Sequence, residues 1–232
     1  MEHNDWRTIR ATPLFSSLSQ EVTESIVIGQ GVRTYEKGAL LFQQDSPSDA
    51  FFVILEGWVK LFRITPNGTE AIVGVLRRGE SFGEAAIFMD RQYPVAAEVV
   101  TTSRLLKVDG DSFRRRIRVE PDLALAILAS LSQHLKFLVG HIEQIKVLDA
   151  SQRVADFLVE LSGQTQGSAV IVLPYEKALI AKRLGMTPES LSRALAKLRP
   201  FGISVHQENV TVADVAALRN HVAMGRSHAA NS

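Results

Sequence analysis

The chain has 232 residues, 46% of them hydrophobic and 22% charged, with a formal net charge of +1; that is enough apolar material for two cores, and too little net charge to name a partner. There is no cysteine, which excludes disulfides, thiolate zinc sites, Cys-ligated iron–sulfur clusters and thiol redox switches. Residues 1–10 are polar and carry both charge signs, unlike a signal peptide, and no apolar run is long enough to span a bilayer, so a cytoplasmic protein with no membrane contact is expected.

Residues 13–29 read as short helical structure, with Leu14, Phe15, Leu18, Val22 and Ile26 at helical spacing and Ser19 placed as a cap. From Val32 to Asp109 the texture changes to short apolar runs broken by turn residues. Strands are expected over Leu40–Phe42, Phe51–Leu55, Trp58–Phe62, Ala71–Leu76, Ala96–Val100 and Leu105–Val108. Pro66-Asn67-Gly68 marks a hairpin, because Asn and Gly accept positive φ. Many short strands at even spacing predict a small all-β roll or barrel.

Helical periodicity begins at Pro121. Ala124, Leu128, Leu131, Leu135, Leu138, Ile142 and Ile145 follow one another at alternating spacings of four and three. This is a heptad seam, and it predicts pairing with a second copy of the same helix. Asp149 occupies the next seam position and ends it. A hinge is expected near residues 149–153.

The remainder reads helix, strand, helix, helix, strand, strand. Val154, Phe157, Leu158 and Leu161 define the first helix, Gly163–Ser168 a loop, Val170–Leu173 a strand, and Ile203–His206 with Val210–Val212 a closing strand pair. That order predicts a winged helix-turn-helix. Residues 151–232 hold nine Lys or Arg against six Asp or Glu, whereas residues 1–150 hold 17 against 19, so the basic excess lies in this unit.

Within it, Glu176–Leu184 forms the expected first helix, and Gly185 supplies the left-handed residue at its end. Thr187 is the expected cap of the second helix, and Pro188 its first residue. Leu179, Ile180, Leu184, Leu191, Leu195 and Leu198 make the face on which the two helices pack. Glu189, Ser190, Ser192 and Arg193 then point outward near the start of the second helix, where base edges are contacted. Arginine is the natural partner of guanine O6 and N7, and glutamate can accept from cytosine N4. Lys182, Lys197 and Arg199 are expected on phosphates, with His206 near the backbone in the wing. A helix hairpin with merely solvated charges would not need Gly, cap and contact residues at these offsets.

Three blocks, Phe51–Arg63 (FFVILEGWVKLFR), Gly79–Met89 (GESFGEAAIFM) and Thr187–Arg193 (TPESLSR), carry a resemblance to the CRP/FNR superfamily of bacterial transcription regulators over residues 12–213. The resemblance implies an α+β chain with a cyclic-nucleotide-binding-like β-roll (1–120), a dimerisation helix (121–150) and a winged helix-turn-helix (151–232). It implies a homodimer on DNA that engages RNA polymerase. Glu189, Ser192 and Arg193 match the E-x-x-S-R pattern of the FNR and Dnr branch, which implies an inverted repeat of TTGAT-type half-sites. Pro188 before the Glu resembles the Dnr-type nitric-oxide-responsive regulators.

The same resemblance frames the effector. In the family's cyclic-nucleotide receptors, a Gly-Glu pair is followed by an Arg-Ser/Thr-Ala triplet that holds the phosphate. Gly83 and Glu84 are present, but Pro94, Val95 and Ala96 stand in the triplet. A buried anion without its cation is costly, which disfavours a cyclic nucleotide. Arg91 lies three residues too early. The Dnr likeness points instead to haem, or another apolar effector, as the sensor of nitric oxide; the alternative is a CRP-like regulator controlled by another small effector or a cyclic nucleotide. His134 and His141, which flank the seam, are the ligand candidates, with Tyr93 and Met89 behind them. Phe82, Gly83 and Glu84 are the roll-side candidates for effector contact. His3, His221 and His228 are expected in tails. No phosphate loop, zinc-protease motif or nucleophile elbow occurs, so no enzyme is expected.

Overall fold

The computed structural model describes residues 2–229 apart from 89–91, 122, 126, 130, 133, 134, 136–147, 174 and 175; for 225–229 it describes backbone alone. The chain divides into two units, Met1–Phe137 and Leu138–Ser232. No helix among the described residues is long and apolar enough to cross a membrane.

The first unit runs α1 (His3–Ala11), α2 (Gln20–Val27), β1 (Gly31–Tyr35), β2 (Leu40–Phe42), β3 (Ala50–Glu56), β4 (Trp58–Ile64), β5 (Glu70–Arg77), β6 (Ser81–Phe82), α3 (Glu84–Phe88), β7 (Ala96–Val99), β8 (Ser103–Asp109) and α4 (Gly110–Val119). The described residues between 121 and 135 form one further helix, α5. Two antiparallel sheets, ordered β1-β8-β3-β6 and β2-β7-β4-β5, make the roll.

Strand β3 organises this unit, because AFFVILE is buried on both faces. Side chains alternate along a strand. Phe52 and Ile54 therefore join Phe42, Val59, Phe82, Ala97 and Leu105 in a cluster drawn from both sheets. Phe51, Val53 and Leu55 turn the other way, onto Ile9, Phe15, Ile26, Phe113, Leu123 and Ile127 of the flanking helical segments. Each of these buried Val, Leu, Ile and Phe side chains contributes roughly 1.5–3 kcal/mol. At the β4–β5 hairpin, the Thr65 N–H donates to the Thr69 carbonyl at 2.9 Å and the Thr69 hydroxyl to Asn67 Oδ1, also at 2.9 Å.

Helix α5 carries two faces. Leu123 and Ile127 are buried in the helix-side core. Leu128, Leu131 and Leu135 are exposed by 59%, 39% and 63%.

The second unit runs α6 (Ala150–Ser162), β9 (Ala169–Val172), α7 (Lys177–Arg183), α8 (Pro188–Lys197), a 3-10 turn at Arg199–Phe201, β10 (Ile203–His206), β11 (Asn209–Val212) and α9 (Val215–Ala229). The antiparallel sheet is ordered β10-β11-β9. Asp149 opens α6 with a capping box, accepting from the Gln152 N–H at 2.9 Å while its own N–H donates to Gln152 Oε1 at 3.0 Å. The Arg153 guanidinium donates to the Leu148 carbonyl at 2.9 Å, tightening the entry to this helix. Helix α6 packs on both α8 and α9.

Two expectations about the tails are corrected. His3 lies in α1, a helix tied to the roll where Arg104 Nη1 and Nη2 donate to Asp5 at 3.1 and 3.0 Å. His221 lies in α9, half-buried, with its ring 4.3 Å from that of Phe201; His228 also falls within α9.

Candidate DNA-reading helix and sensor roll

The turn between α7 and α8 is built from local rules. Gly185 sits at φ 62°, its N–H donating to the Lys182 carbonyl at 3.1 Å, while the Met186 N–H reaches the Ala181 carbonyl at 2.9 Å. This paired closure satisfies the last carbonyls of α7 and needs a left-handed residue, hence glycine. Thr187 then caps α8, accepting the Ser190 N–H at 3.3 Å, and Pro188 occupies the first helical position. Leu191, Ala194 and Leu198 anchor α8 inward, with Leu179 and Ile180 buried on α7. Leu184 and Leu195 are half-buried.

That burial leaves Glu189, Ser192 and Arg193 exposed on one outer face, beside the exposed cap Thr187, with Ser190 set back and half-buried. Lys182, Lys197, Arg199 and His206 are all exposed in the same unit. The Glu189 carboxyl is held below the usual carboxylate range, first by the backbone N–H at the helix start, with the Arg193 charge adding to it. The helix start thus presents an ionised acceptor beside a cationic donor fork, the complement of cytosine and guanine edges. One contact was not legible in the sequence: Arg193 Nη2 donates to Ser190 Oγ at 3.3 Å. It depends on a side-chain rotamer, for which i,i+3 spacing is only a precondition.

In the roll, Phe82 is buried against Phe52, with ring centroids 5.3 Å apart. Glu84 Oε1 accepts from the Ser81 hydroxyl at 3.0 Å, which ties it to the strand before it. Gly83 sits at φ 89°, and a Cβ there would stand 3.4 Å from both the Ala50 carbonyl oxygen and a Tyr93 ring carbon. The structure therefore brings Phe82, Gly83 and Tyr93 together. Val95 packs on the two-sheet core, Ala96 is buried, and the Pro94 carbonyl accepts from Arg63 Nε at 3.0 Å. Tyr93 itself is 1% exposed. Its hydroxyl accepts from the Ala50 N–H at 3.2 Å and donates to the Ala50 carbonyl, with Asp49 Oδ1 at 3.3 Å. Burial, reinforced by the Asp49 charge, pushes this phenol up to about 12. His134, His141, Met89 and Arg91 lie outside the described residues, as do the seam positions Leu138, Ile142 and Ile145.

Residues 32–119 match the model of the cyclic nucleotide-binding domain, and residues 152–221 that of the Crp-like helix-turn-helix domain. The nitrogen fixation regulation protein FixK of Rhizobium meliloti is 30% identical over 168 residues, spanning 72% of this chain and 75% of FixK. Among solved structures, a protein of the cyclic-nucleotide-binding type from Ruegeria pomeroyi is 40% identical, covering 96% of this chain and 99% of that one, with a TM-score of 0.88. DNR from Pseudomonas aeruginosa is 29% identical, covering 95% and 98%, with a TM-score of 0.58.

Proposed function

Because this chain belongs to the CRP/FNR family of DNA-binding transcription regulators, we propose that it works as a homodimer on an inverted repeat of TTGAT-type half-sites. The single observation that carries this reading is the start of α8, where Thr187 and Pro188 set Glu189, Ser192 and Arg193 outward on one face. Arg193 reads guanine, Glu189 and Ser192 complete the base contacts, and Lys182, Lys197 and Arg199 bind phosphates. Pairing is through Leu128, Leu131 and Leu135 of α5, continued by Leu138, Ile142 and Ile145. Among the described residues of α5 only Leu123 and Ile127 are buried, while Leu128, Leu131 and Leu135 stand exposed in a row that a second helix would cover. The division of labour is then a sensory roll (1–120), a dimerisation helix (121–150) and a DNA-binding unit (151–232), acting in the cytoplasm and engaging RNA polymerase.

The test is binding of the full chain to a duplex with the TTGAT inverted repeat and to a scrambled duplex, at two salt concentrations. Preference for the repeat at both supports the reading. Equal, salt-sensitive binding to both overturns it, because phosphate contacts alone carry no sequence.

For the signal, we propose nitric oxide sensed through haem, on the likeness to Dnr-type regulators. The ligand candidates are His134 and His141. Tyr93 is unsuited to the role, because its hydroxyl is already committed to Ala50. An absorption spectrum of the chain purified from haem-replete cells, with and without nitric oxide, decides the matter. A Soret band lost in a His134→Ala, His141→Ala double variant supports it, and a spectrum without one overturns it.

A further inference from the structure

Arg193 is exposed on a helix surface, and a free arginine side chain samples many rotamers. A base reader gains from being held beforehand, because less freedom is lost on binding. The side chain that can hold it is Ser190, one turn earlier. Its hydroxyl oxygen has two acceptor sites. One receives the Thr187 hydroxyl at 3.2 Å, and the other receives Arg193 Nη2 at 3.3 Å. The Ser190 backbone N–H is fixed as well, donating to Thr187 Oγ1 at 3.3 Å. Ser190 is thus tied to the cap by both backbone and side chain. It is half-buried, whereas Glu189, Ser192 and Arg193 around it are exposed. Helical side chains lean toward the N-terminus, and this tie draws the guanidinium the same way, to the end of α8 that meets base edges.

We propose that Ser190 is a positioning residue for base reading, whose hydroxyl, anchored by the Thr187 cap, holds the Arg193 guanidinium at the N-terminal end of α8. The inference rests on the DNA-reading role given to α8 above. Ser190 sets the pose of the reader from behind, and Glu189 assists through its i,i+4 attraction to Arg193.

The experiment compares the parent chain with Ser190→Ala, Ser190→Thr and Ser190→Val by fluorescence anisotropy. Two duplexes are used: the TTGAT inverted repeat, and the same duplex with the guanine of each half-site replaced by adenine. Thermal unfolding of each variant accompanies the titrations. Ser190→Ala and Ser190→Val are expected to weaken binding to the intact repeat by roughly three- to tenfold per half-site. Binding to the substituted duplex should stay at the parent level, so that preference for guanine shrinks. Ser190→Thr keeps the hydroxyl and should restore the preference, while Val, its isostere without the hydroxyl, should not. An unchanged guanine preference in Ser190→Ala overturns the proposal. So does an equal loss on both duplexes, which would make Ser190 a phosphate contact or a support for the cap. Arg193→Ala is the control for the underlying reading: if it keeps full preference for guanine, base reading by Arg193 fails first, and the role of Ser190 with it.

Discussion

The phenol ring of Tyr93 lies flat against the ring of Phe42, with centroids 3.7 Å apart and planes 8° apart. Backbone contacts lock the same residue in place. Its N–H donates to the Ser46 carbonyl at 3.0 Å, and its carbonyl accepts the Asp45 N–H at 2.7 Å. The segment leading into Pro94 and Val95 is thereby sewn onto the core, and an apolar Val95 stands where the family's cyclic-nucleotide receptors place a polar residue beside the phosphate. Cyclic AMP is expected to leave DNA affinity unchanged, and calorimetry should show no binding heat at physiological concentration. A tight isotherm would mean that another cation, with Arg63 on the Pro94 carbonyl the first to test, replaces the missing arginine.

Tyr93 also predicts an alkaline weakness. Burial favours the neutral phenol and raises its pKa to about 12, against about 10 in the unfolded chain. Its contribution to stability is therefore complete below pH 10 and is lost as the pH rises from about 10 toward 12. Urea midpoints measured from pH 8 to pH 11.5 should fall more steeply for the parent than for Tyr93→Phe. Parallel slopes would show that the phenol ionises as freely in the folded state. At neutral pH the same variant should lose about 1–3 kcal/mol, because the Ala50 groups lose their partner.

How far the sequence could be read follows from how local each signal is. Strand β3, the β4–β5 hairpin and the α7–α8 turn are legible because their signals act within a few residues: a short continuous apolar run ended by Glu-Gly, the Asn-Gly pair and the Gly-Met-Thr-Pro run. Strand β1 was missed since GVRTY has no clean alternation; it is a sheet-edge strand with no fully buried residue. Helix α1 was missed for a different reason. Its apolar contribution is confined to Trp6 and the fully buried Ile9, and its polar anchor pairs residues 99 apart. Tyr93 could be seen only as an aromatic with a hydroxyl. Nothing near it in the chain announces that Ala50, 43 residues earlier, takes up that hydroxyl.

The anchor of α1 is itself testable. Asp5 has a side chain only 4% exposed and accepts from both Arg104 nitrogens and from the Glu2 N–H at 2.9 Å, while Arg104 is 29% exposed. Asp5→Ala removes one side of a bidentate pair, and water recovers part of the loss at the arginine. A destabilisation of about 1–3 kcal/mol is expected in urea unfolding, together with early proteolysis before residue 12. A variant as stable as the parent would show that α1 is held by Trp6 and Ile9 alone.

The two faces of α5 should fail in two different ways. At about 100° per residue, Leu123 and Ile127 lie roughly 90° around the helix from the row Leu128, Leu131 and Leu135. The first pair is 2% and 4% exposed within the unit, and the second row is open by 39–63%. Truncating Ile127 to Ala removes core packing and should cost about 2–5 kcal/mol of unfolding free energy. Leu128→Glu or Leu135→Glu should cost the isolated unit almost nothing, because the side chain already faces solvent there. In a pair of helices the same carboxylate would be buried opposite its own copy, so desolvation and like-charge repulsion both oppose association. Sedimentation velocity should therefore show a folded monomer, whose melting point falls only by the stabilisation that pairing lends the parent. Its affinity for the inverted repeat should fall by at least about tenfold, since one half-site supplies only part of the contacts. An intact dimer in Leu128→Glu and Leu135→Glu would place the pairing surface elsewhere and leave that row of leucines without a role.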